Sequence, residues 1–401
     1  MVLKNKALRQ LVVCLLGGSM VLIMLPVSAW AADDCFLNGK EVSPDNGATT
    51  EGKTGIMHCK DRESGKPTRD KELRAGKWVG LTRDYVNGLP SIEYGRDENG
   101  RDHGFNRKFA PNKQMIFEEF NEHGKQVGIK REWYLDGSLK TIEFAGKDNS
   151  EKANARYTPK KQLNDLNCSS APRLAPHVDD ASLCGFKGKP STVEFFNDES
   201  KLRGRETYLA GVTQKAQEFD VNSGKVTASM ELQGTQRTEV YFNDGVKQRE
   251  EVINLAEKQK SFVRKAEYHE SGAMVLEQKF AMLELDGRRR NVMTSEAQFF
   301  LNGQPKSLDS FSVDGKDIVR ESKKYHDNGK LAEQGRYFDT GAYRNRPLGV
   351  HQSFSSSGVL IGESHHDAKG NRNRERKFDE KGSLQSDEQL FEDGSRKSYA
   401  K

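Results

Sequence analysis

The sequence predicts an all-β protein: an elongated, twisted antiparallel sheet of successive β-hairpins, divided into two lobes. Three observations support this class. A phrase of one aromatic residue, a few polar residues and Gly recurs, as at 299–303 and 325–329; apolar and polar residues alternate around these glycines; and the chain is polar. Hydrophobic residues supply only 34% of the 401 residues, and charged residues supply 31%. We therefore expect a thin structure whose repeats pack on their neighbours along the chain.

The repeated phrase has a fixed spacing. An aromatic residue lies four positions before Gly ten times, whereas 37 Gly and 8% aromatic residues would produce about three such pairs by chance. The ten aromatic residues are Phe120, Trp133, Tyr241, Tyr268, Phe299, Phe311, Tyr325, Tyr337, Phe354 and Phe378. The Asn-Gly, Asp-Gly and Ser-Gly pairs that follow many of them supply the positive φ of tight hairpin turns. Period-two apolar runs on both sides of such turns predict β-hairpins.

The fixed offset also predicts where the rings lie. Equal spacing from each turn should place every ring on one face of the sheet, where rings of successive hairpins can stack across strands. We predict that the repeat core consists of Trp78, from a looser copy at 76–88, and nine of the ten aromatic residues above, without Phe311. Rings are the main apolar supply of this chain, so a core role is favoured over an exposed ladder that stacks on sugars. The segment 254–267 is the best candidate for a helix, but its helical periodicity is weak.

The segment 123–146 resembles a MORN repeat in the bacterial variant often labelled an antitoxin-type repeat. The residues that carry the resemblance are Gly124, Gly128, Trp133, Tyr134, Asp136, Gly137, Leu139, Lys140 and Phe144. The segments 76–88 and 325–341 are similar, and in pieces the resemblance covers 76–146 and 193–401. It departs from the family in the variable spacing of the turns before Gly329. The resemblance implies a scaffold of hairpins that serves as an interaction surface, and it brings no catalytic residues.

Residues 1–31 are predicted to be a secretory signal peptide. Lys4, Lys6 and Arg9 precede an apolar run, and the small residues of 29–31 are typical of a cleavage site before Ala32. The alternative is a retained membrane anchor, but the run is barely long enough to span a bilayer. Without the leader the net charge is +2 rather than +5, because the leader holds three basic and no acidic residues. We expect export through the Sec pathway, so the expected location is the periplasm. The small net charge of the mature chain does not indicate a nucleic-acid partner.

Four cysteines follow the leader: Cys35, Cys59, Cys168 and Cys184. Four cysteines allow three pairings, and in an oxidising compartment the sequence favours the local bonds Cys35–Cys59 and Cys168–Cys184 over cross-pairing or free thiols. Their spacing is not that of a zinc site.

We predict the following domains after the leader: a disulfide-closed cap at 32–75, a first hairpin array at 76–165, a boundary at 166–190 and a second array at 191–401. The boundary holds three Pro and no turn phrase, and a long loop within one continuous sheet is the alternative. Each lobe would begin with a closed cap, which protects the unpaired edge of a first strand.

No catalytic motif is present. The sequence lacks a nucleophile elbow, a zinc-protease helix, a phosphate-binding loop and a dinucleotide fingerprint. The pair His365-His366 with Asp367 suggests a metal or general-base site, but neighbours on a strand point to opposite faces and cannot chelate together. The basic runs 288–290 and 371–377 are typical of solvated strand faces or turns. We therefore predict no enzyme activity, no cofactor and no metal.

The most favoured function is an exported, non-catalytic scaffold that binds another protein. Two alternatives stay open: an immunity protein that neutralises a toxin, which rests on the family label, and a protein that binds peptidoglycan or membrane lipid. The small net charge disfavours lipid steering. Neither the identity of the partner nor the oligomeric state follows from the sequence.

Overall fold

The computed structural model describes residues 33–147, 151–257, 260–285, 287–314, 317–339 and 345–400. The predicted signal peptide lies outside the described residues. The chain forms two compact units, residues 1–101 and residues 102–401. No helix among the described residues is long and apolar enough to cross a bilayer.

The described residues of the first unit form an antiparallel sheet with the strand order β2-β1-β3-β4-β5-β6. The strands are β1 (Asp33–Leu37), β2 (Lys40–Val42), β3 (Gly55–Asp61), β4 (Pro67–Arg74), β5 (Lys77–Val86) and β6 (Leu89–Arg96), and one 3-10 helix covers Gly47–Thr49. The disulfide Cys35–Cys59 joins β1 to β3 at directly opposite positions. Both cysteines belong to a buried cluster with Leu37, Val42, Met57 and Leu73, against which Trp78 packs.

The second unit begins with strands that pair in the order β7-β8-β10-β11-β12-β13, and β9 pairs with β8. Their bounds are β7 (Gly104–Phe109), β8 (Met115–Glu122), β9 (Lys125–Gln126), β10 (Gly128–Trp133), β11 (Leu139–Ala145), β12 (Lys152–Tyr157) and β13 (Leu163–Asn167). A segment with the short helix α1 (Asp180–Leu183) then leads to a second sheet.

The second sheet has 17 strands, each paired antiparallel with the next along the chain. Its first half contains β14 (Ser191–Phe196), β15 (Leu202–Leu209), β16 (Val212–Phe219), β17 (Val226–Gln233), β18 (Gln236–Asn243), β19 (Val246–Asn254), β20 (Ser261–Tyr268), β21 (Met274–Leu285) and β22 (Arg288–Phe299). Its second half contains β23 (Pro305–Asp314), β24 (Asp317–Tyr325), β25 (Leu331–Phe338), β26 (Arg346–Phe354), β27 (Leu360–His366), β28 (Arg372–Phe378), β29 (Leu384–Leu390) and β30 (Arg396–Ala400).

The predicted all-β class and the architecture of successive antiparallel hairpins are confirmed, and neither sheet is closed. The weak helical prediction at 254–267 is wrong, because Ser261–Tyr268 is strand β20. Its alternating residues pair on both sides with neighbouring strands, and this tertiary pairing overrides a local helical period. In the described residues the α-helical conformation occurs in α1, inside the predicted boundary.

Two kinds of turn connect the hairpins. In the first kind three residues form the loop, the third has positive φ, and the two residues that flank the loop are hydrogen bonded. At Gly329, for example, φ is 82°, His326 N donates to Lys330 O at 2.8 Å, and Gly329 N donates to His326 O at 2.9 Å. This is a type I turn with a bulge at the glycine. In the second kind both loop residues have positive φ, as in Asp244-Gly245 with φ of 52° and 85°.

In the part of the chain that the structure describes, three turns of the first kind have no glycine. Lys113, Lys161 and Ser200 take the left-handed position with φ of 68°, 63° and 68°. Each turn has the same two hydrogen bonds as the glycine turns. Four residues before them lie Phe109, Tyr157 and Phe196, respectively. These are full copies of the repeat that alignment on Gly does not find, although 193–200 shows the aromatic and turn residues.

We call strands β11–β15 with the connecting segment 168–190 the hub, and strands β16–β30 the array. In the hub the connecting segment covers the ends of both sheets, and the disulfide Cys168–Cys184 closes it. The buried residues are Ile142, Ala153, Ala155, Leu166, Leu174, Val178, Cys184, Val193, Phe195 and Tyr208. The Asp180 carboxylate accepts hydrogen bonds from the backbone N–H groups of Arg173 and Leu174 at 2.6 and 2.9 Å, which holds the segment in place.

The array has no comparable core. No cluster of buried apolar side chains is found in its described strands, and its few buried apolar residues, such as Ile253, Ala266 and Val319, are scattered. Both faces of the array are therefore available to solvent over most of its length. Its stability must come from strand pairing and from contacts between neighbouring strands.

Candidate interaction surface

Nine turns of the first kind in the described residues bring one ring opposite one apolar residue. Tyr325 lies opposite Leu331, and Phe354 lies opposite Leu360. The remaining pairs are Phe109–Met115, Trp133–Leu139, Tyr157–Leu163, Phe196–Leu202, Tyr268–Met274, Phe299–Pro305 and Phe378–Leu384. In these nine pairs the partner follows the ring by six residues, so the common repeat unit is an aromatic–aliphatic pair at the mouth of the hairpin. The turns at Gly370 and Gly394 differ, because His366 lies opposite Arg372 and Leu390 lies opposite Arg396.

The sequence predicts that the rings of successive hairpins stack on one another, but the structure does not show this as a general rule. Among the described rings, two of the predicted core residues contact another ring: Phe120 with Phe105 at 5.1 Å, and Tyr337 with His351 at 4.7 Å between centroids. The aliphatic partner takes the place of a second ring, because the bulge at each turn brings Leu, Met or Pro opposite the aromatic residue. The predicted ladder of rings is therefore corrected to a series of separate pairs.

The prediction that all rings share one face is also corrected. Tyr241 lies in the cross-strand row of Gln298 and Lys324, the residues that directly precede Phe299 and Tyr325. Because successive residues of a strand point to opposite faces, Tyr241 lies on the face opposite to those two rings. The reason is its turn: a two-residue loop replaces a three-residue loop while the spacing to Gly stays the same. Tyr337 also lies on the face of Tyr241, opposite Arg320.

The ten predicted core rings are all half-buried, so they are neither a closed core nor a free ring ladder. Five of them are covered by a cation. The ring centroids lie 4.1 Å from Lys71 Nζ for Trp78, 5.1 Å from Arg131 for Trp133, 4.2 Å from Arg249 for Tyr241, 4.5 Å from Lys247 for Tyr268 and 4.7 Å from Arg320 for Tyr337. These cations occupy ring faces that a sugar would need for stacking.

A row of polar side chains crosses five strands on the face of Phe354 and Phe378. We call it the polar ladder, and its members are Gln334, Gln352, Glu363, Arg376 and Asp387, each opposite the next. Gln334 Nε2 donates to Gln352 Oε1 at 2.7 Å, and Gln352 Nε2 donates to Glu363 Oε2 at 2.9 Å. Arg376 Nη1 donates to Glu363 Oε1 at 3.2 Å. The ladder joins strands β25–β29 by side chains as well as by backbone.

The acidic members of the polar ladder are ionised. Burial raises the pKa of Glu363, but the hydrogen bonds from His365 and Gln352 outweigh it, and the net pKa is lowered. Hydrogen bonds from Arg374 lower the pKa of Asp387, whose Oδ2 accepts from Arg374 Nη2 at 2.7 Å. Asp387 is buried by its arginine neighbours, although both faces of the sheet are open.

Sequence reasoning missed the polar ladder, although a signal exists. Around Gly329, Gly358 and Gly382, the residue six positions before the glycine pairs with the residue five positions after it. Lys323 and Gln334 pair around Gly329, Gln352 and Glu363 around Gly358, and Arg376 and Asp387 around Gly382. The spacing from an aromatic residue to Gly does not include these positions.

Two open depressions lie on the opposite face, on either side of Tyr337. One of about 510 Å³ crosses strands β22–β25 and includes Asp309, Arg320 and Lys324. The other, of about 410 Å³, crosses strands β25–β28 and includes His351 and Lys377. Both are lined by acidic and basic side chains together, and they provide a mixed-charge surface across seven strands.

The histidines behave as strand geometry predicts. His365 Nε2 lies 2.9 Å from Glu363 Oε1 on the face of the polar ladder, whereas His366 points to the other face and packs its ring 4.7 Å from that of His351. Asp367 lies in the following turn, where its carboxylate accepts from the N–H groups of Lys369 and Asn371. Within the described residues no group of three or more potential ligands could hold a metal ion.

Both favoured disulfides are present, Cys35–Cys59 and Cys168–Cys184. Disulfides persist in oxidising compartments, so the two bonds indicate an extracytoplasmic location.

Comparisons with known proteins agree with a repeat protein. A family model described as a MORN repeat variant matches residues 321–339, which include strand β25 and the Gly329 turn. No curated protein matches the chain. The match supports a MORN-type repeat, and the repeat architecture is compatible with a scaffold.

Solved structures show only distant likeness. TcdB2-TccC3-TEV has a TM-score of 0.20 and 11% identity over 89% of this chain and 19% of that chain, so this chain spans about a fifth of its length. A porin-like protein from Bacteroides uniformis has a TM-score of 0.19 and 6% identity over 65% of this chain and 92% of that chain. A putative 6-phosphogluconolactonase from Bacteroides fragilis has a TM-score of 0.11 and 11% identity, covering 93% and 95%. TM-scores this low carry no functional argument.

Proposed function

We propose that the protein is a non-catalytic scaffold, exported to the periplasm, that binds another protein through the faces of its array. The observation that carries this proposal is the exposure of both faces along β16–β30, where no described cluster of apolar side chains covers the sheet. A broad, rigid surface of mixed charge is suited to a large polar protein interface.

The side chains of this surface favour a protein over a glycan. Within the array, cations cover the rings of Tyr241, Tyr268 and Tyr337, and a sugar would have to displace these cations to stack there. Salt-bridged groups such as Lys324 and Glu333, 2.8 Å apart, present both charges side by side. Alternating charges are suited to the charged and polar side chains of a protein partner, and they disfavour a uniformly anionic membrane.

Site-specific photo-crosslinking in the periplasm tests the proposal. A photoreactive residue replaces Lys377, which borders the smaller depression, and a control chain carries it at Lys381, in the turn after β28. We expect a discrete covalent adduct with one protein from the Lys377 position that excess purified chain abolishes. Purified partner should then bind saturably in solution.

Two further measurements make the test decisive. Sequencing of the mature N-terminus and thiol labelling of the extracted protein check export and both disulfides. Co-sedimentation with peptidoglycan and with anionic vesicles tests the competing ligands. Binding to either material, with no protein adduct from any position on the two faces, would overturn the scaffold proposal.

A further inference from the structure

One hairpin differs from the rest of the array. Strands β21 and β22 are 12 residues long, whereas the other described strands have at most 10. The pairing of β21 with β22 shifts between Lys279 and Phe280 and then continues to Leu285 opposite Arg288. We call the part from Phe280 to Met293, beyond this shift, the outer hairpin. It carries the run Arg288-Arg289-Arg290.

The outer hairpin is anchored to the start of β20. Asn291 Nδ2 donates to the backbone oxygen of Phe262 at 2.9 Å, and Asn291 Oδ1 accepts from the N–H of Phe262 at 3.0 Å. The rings of Phe280 and Phe262 lie 6.0 Å apart, and Arg289 Nη2 donates to Glu257 Oε1 at 2.9 Å. A side-chain amide that satisfies both backbone groups of one residue holds the hairpin in a defined position.

Alternation along β22 separates the three arginines. Arg289 and Asn291 point to the anchored side, so Arg288 and Arg290 point to the other side. Both side chains are exposed, and no ion pair is found for either of them among the described residues. Lys260 Nζ lies 4.8 Å from the ring centroid of Phe262 and 3.7 Å from Glu251 Oε2, so its charge is already paired.

We propose that Arg288 and Arg290 form a docking site for an extended acidic segment of the partner protein, with carboxylates on alternate residues. Residues i and i+2 of a strand lie about 6.6–6.8 Å apart, and an extended peptide repeats its side chains at the same distance. Each guanidinium can hold one carboxylate through two parallel hydrogen bonds. The inference rests on the proposed function and specifies one surface and one partner chemistry for it.

The number of free cations favours a peptide over a membrane. Recognition of anionic lipid requires clusters of about four to eight basic residues. Here Glu257 engages Arg289, and Arg288 and Arg290 are the two that face outward together. Two arginines on alternate residues of a strand are suited to a pair of carboxylates on an extended chain.

Synthetic peptides test the site on the full mature chain. The first peptide carries three Asp separated by single Thr residues, the second has the same composition with the three Asp separated by two Thr residues so that successive carboxylates point to opposite sides, and the third replaces Asp by Asn. Fluorescence anisotropy measures binding at low and moderate salt. We expect the alternating peptide to bind about tenfold more tightly than its isomer and the Asn peptide not to bind, because only alternating carboxylates match both guanidinium groups.

Variants separate the docking role from a structural one. The double variant Arg288→Gln/Arg290→Gln should weaken binding of the alternating peptide about tenfold or more. The matched control Lys369→Gln/Lys381→Gln, which removes the same charge from two exposed turns of the array outside both depressions, should change binding less than about twofold. Hydrogen exchange of β20–β22 in each variant checks that the hairpin stays folded, and Asn291→Ala is the reference for a detached hairpin.

Equal affinity of the two Asp isomers, or an equal loss in both double variants, would overturn the inference. So would vesicle binding that Arg288→Gln/Arg290→Gln abolishes while no peptide binds, because the occupant would then be a membrane. If the double variant still forms a protein adduct from the array face, the scaffold proposal is retained and the arginine site is not needed for it. Selective peptide binding without any protein adduct would instead refute the scaffold and retain the arginine site.

Discussion

The hub and the array are built from the same hairpin repeat, yet different forces hold them together. In the hub a disulfide-closed segment lies over the ends of two sheets, and side chains such as Ile142 and Leu174 are completely buried. In the array no such segment is present among the described residues, and the rings are half-buried. The hub depends on apolar burial, whereas the array depends on many small contacts between adjacent strands.

This difference explains how one repeat can form both a buried junction in the hub and an open sheet in the array. A repeat that stabilises itself through neighbouring strands needs no second layer, so both of its faces can stay open to solvent. A junction between two sheets has no continuous backbone pairing and must be held by a core of its own. The predictions below test this division, from the largest expected effect to the smallest.

Removing a buried hub side chain should have the largest effect. We expect Leu174→Ala to lower the free energy of unfolding of the hub by about 3 kcal/mol, because a fully buried leucine leaves a cavity. The exposed Leu301 is the control, and Leu301→Ala should change stability by less than about 0.5 kcal/mol. Chemical denaturation followed by hydrogen exchange of β11–β15 measures both. Equal effects of the two substitutions would remove the distinction between hub and array.

Opening the hub disulfide should destabilise the hub while sparing the distant array. The bond Cys168–Cys184 spans 16 residues, and its loss in Cys168→Ser/Cys184→Ser should cost about 3 kcal/mol through the greater freedom of the unfolded chain. Amide protection should fall in β11–β15 and persist in β24–β28. A parallel loss in β24–β28 would show that the array depends on the hub, contrary to a nearest-neighbour repeat.

An array substitution should act locally and moderately. Phe354→Ala removes one aromatic–aliphatic pair with Leu360, and we expect a loss of about 1 kcal/mol from a half-buried cross-strand contact. Increased hydrogen exchange should be confined to β25–β28. If the substitution unfolds the whole array in one step, the rings form a single cooperative core and not separate pairs.

Substitutions at the left-handed position of two turns should change the stability of the protein in opposite directions. Gly329 has a φ of 82°, so Gly329→Ala should cost about 1 kcal/mol. Lys161 occupies the equivalent left-handed position at 63°, so Lys161→Gly should stabilise its hairpin by about 0.5 kcal/mol after the entropy of glycine is subtracted. Thermal denaturation of each variant against the wild type gives the sign. Destabilisation by Lys161→Gly would mean that the lysine side chain contributes more than its backbone strain removes.

The smallest effect should be a pH dependence of the hub. Arg131 Nη1 donates to His177 Nε2 at 2.6 Å, so the imidazole accepts and is neutral. Burial and the Arg131 charge lower the pKa of His177 below 6.5. The unfolded chain therefore takes up the proton more readily, and stability should be present above about pH 6.5 and decline as the pH falls below it. His177→Gln, which retains an acceptor, should remove this part of the pH dependence measured by denaturation between pH 5 and 8.

Much of the local structure follows from short sequence patterns. Asn-Gly and Ser-Gly pairs specify turns because glycine adopts positive φ without strain, and alternation on both sides specifies strands. The copies that end at Lys113, Lys161 and Ser200 lack the glycine signal, because a non-glycine residue holds the left-handed position there. The regular spacing from an aromatic to an aliphatic residue six positions later, as from Tyr157 to Leu163, would have identified them.

By itself, the sequence determined the all-β class, the positions of most hairpins and the local pairing of the cysteines, because each depends on residues that are close along the chain. Only the tertiary structure decided which face each ring occupies and what the connecting segment covers. A change of one residue in loop length moves a side chain such as Tyr241 to the other face, and the spacing to Gly does not report that change. The burial of Leu174 depends on strands that lie before and after it, and no local pattern encodes such a meeting of distant residues.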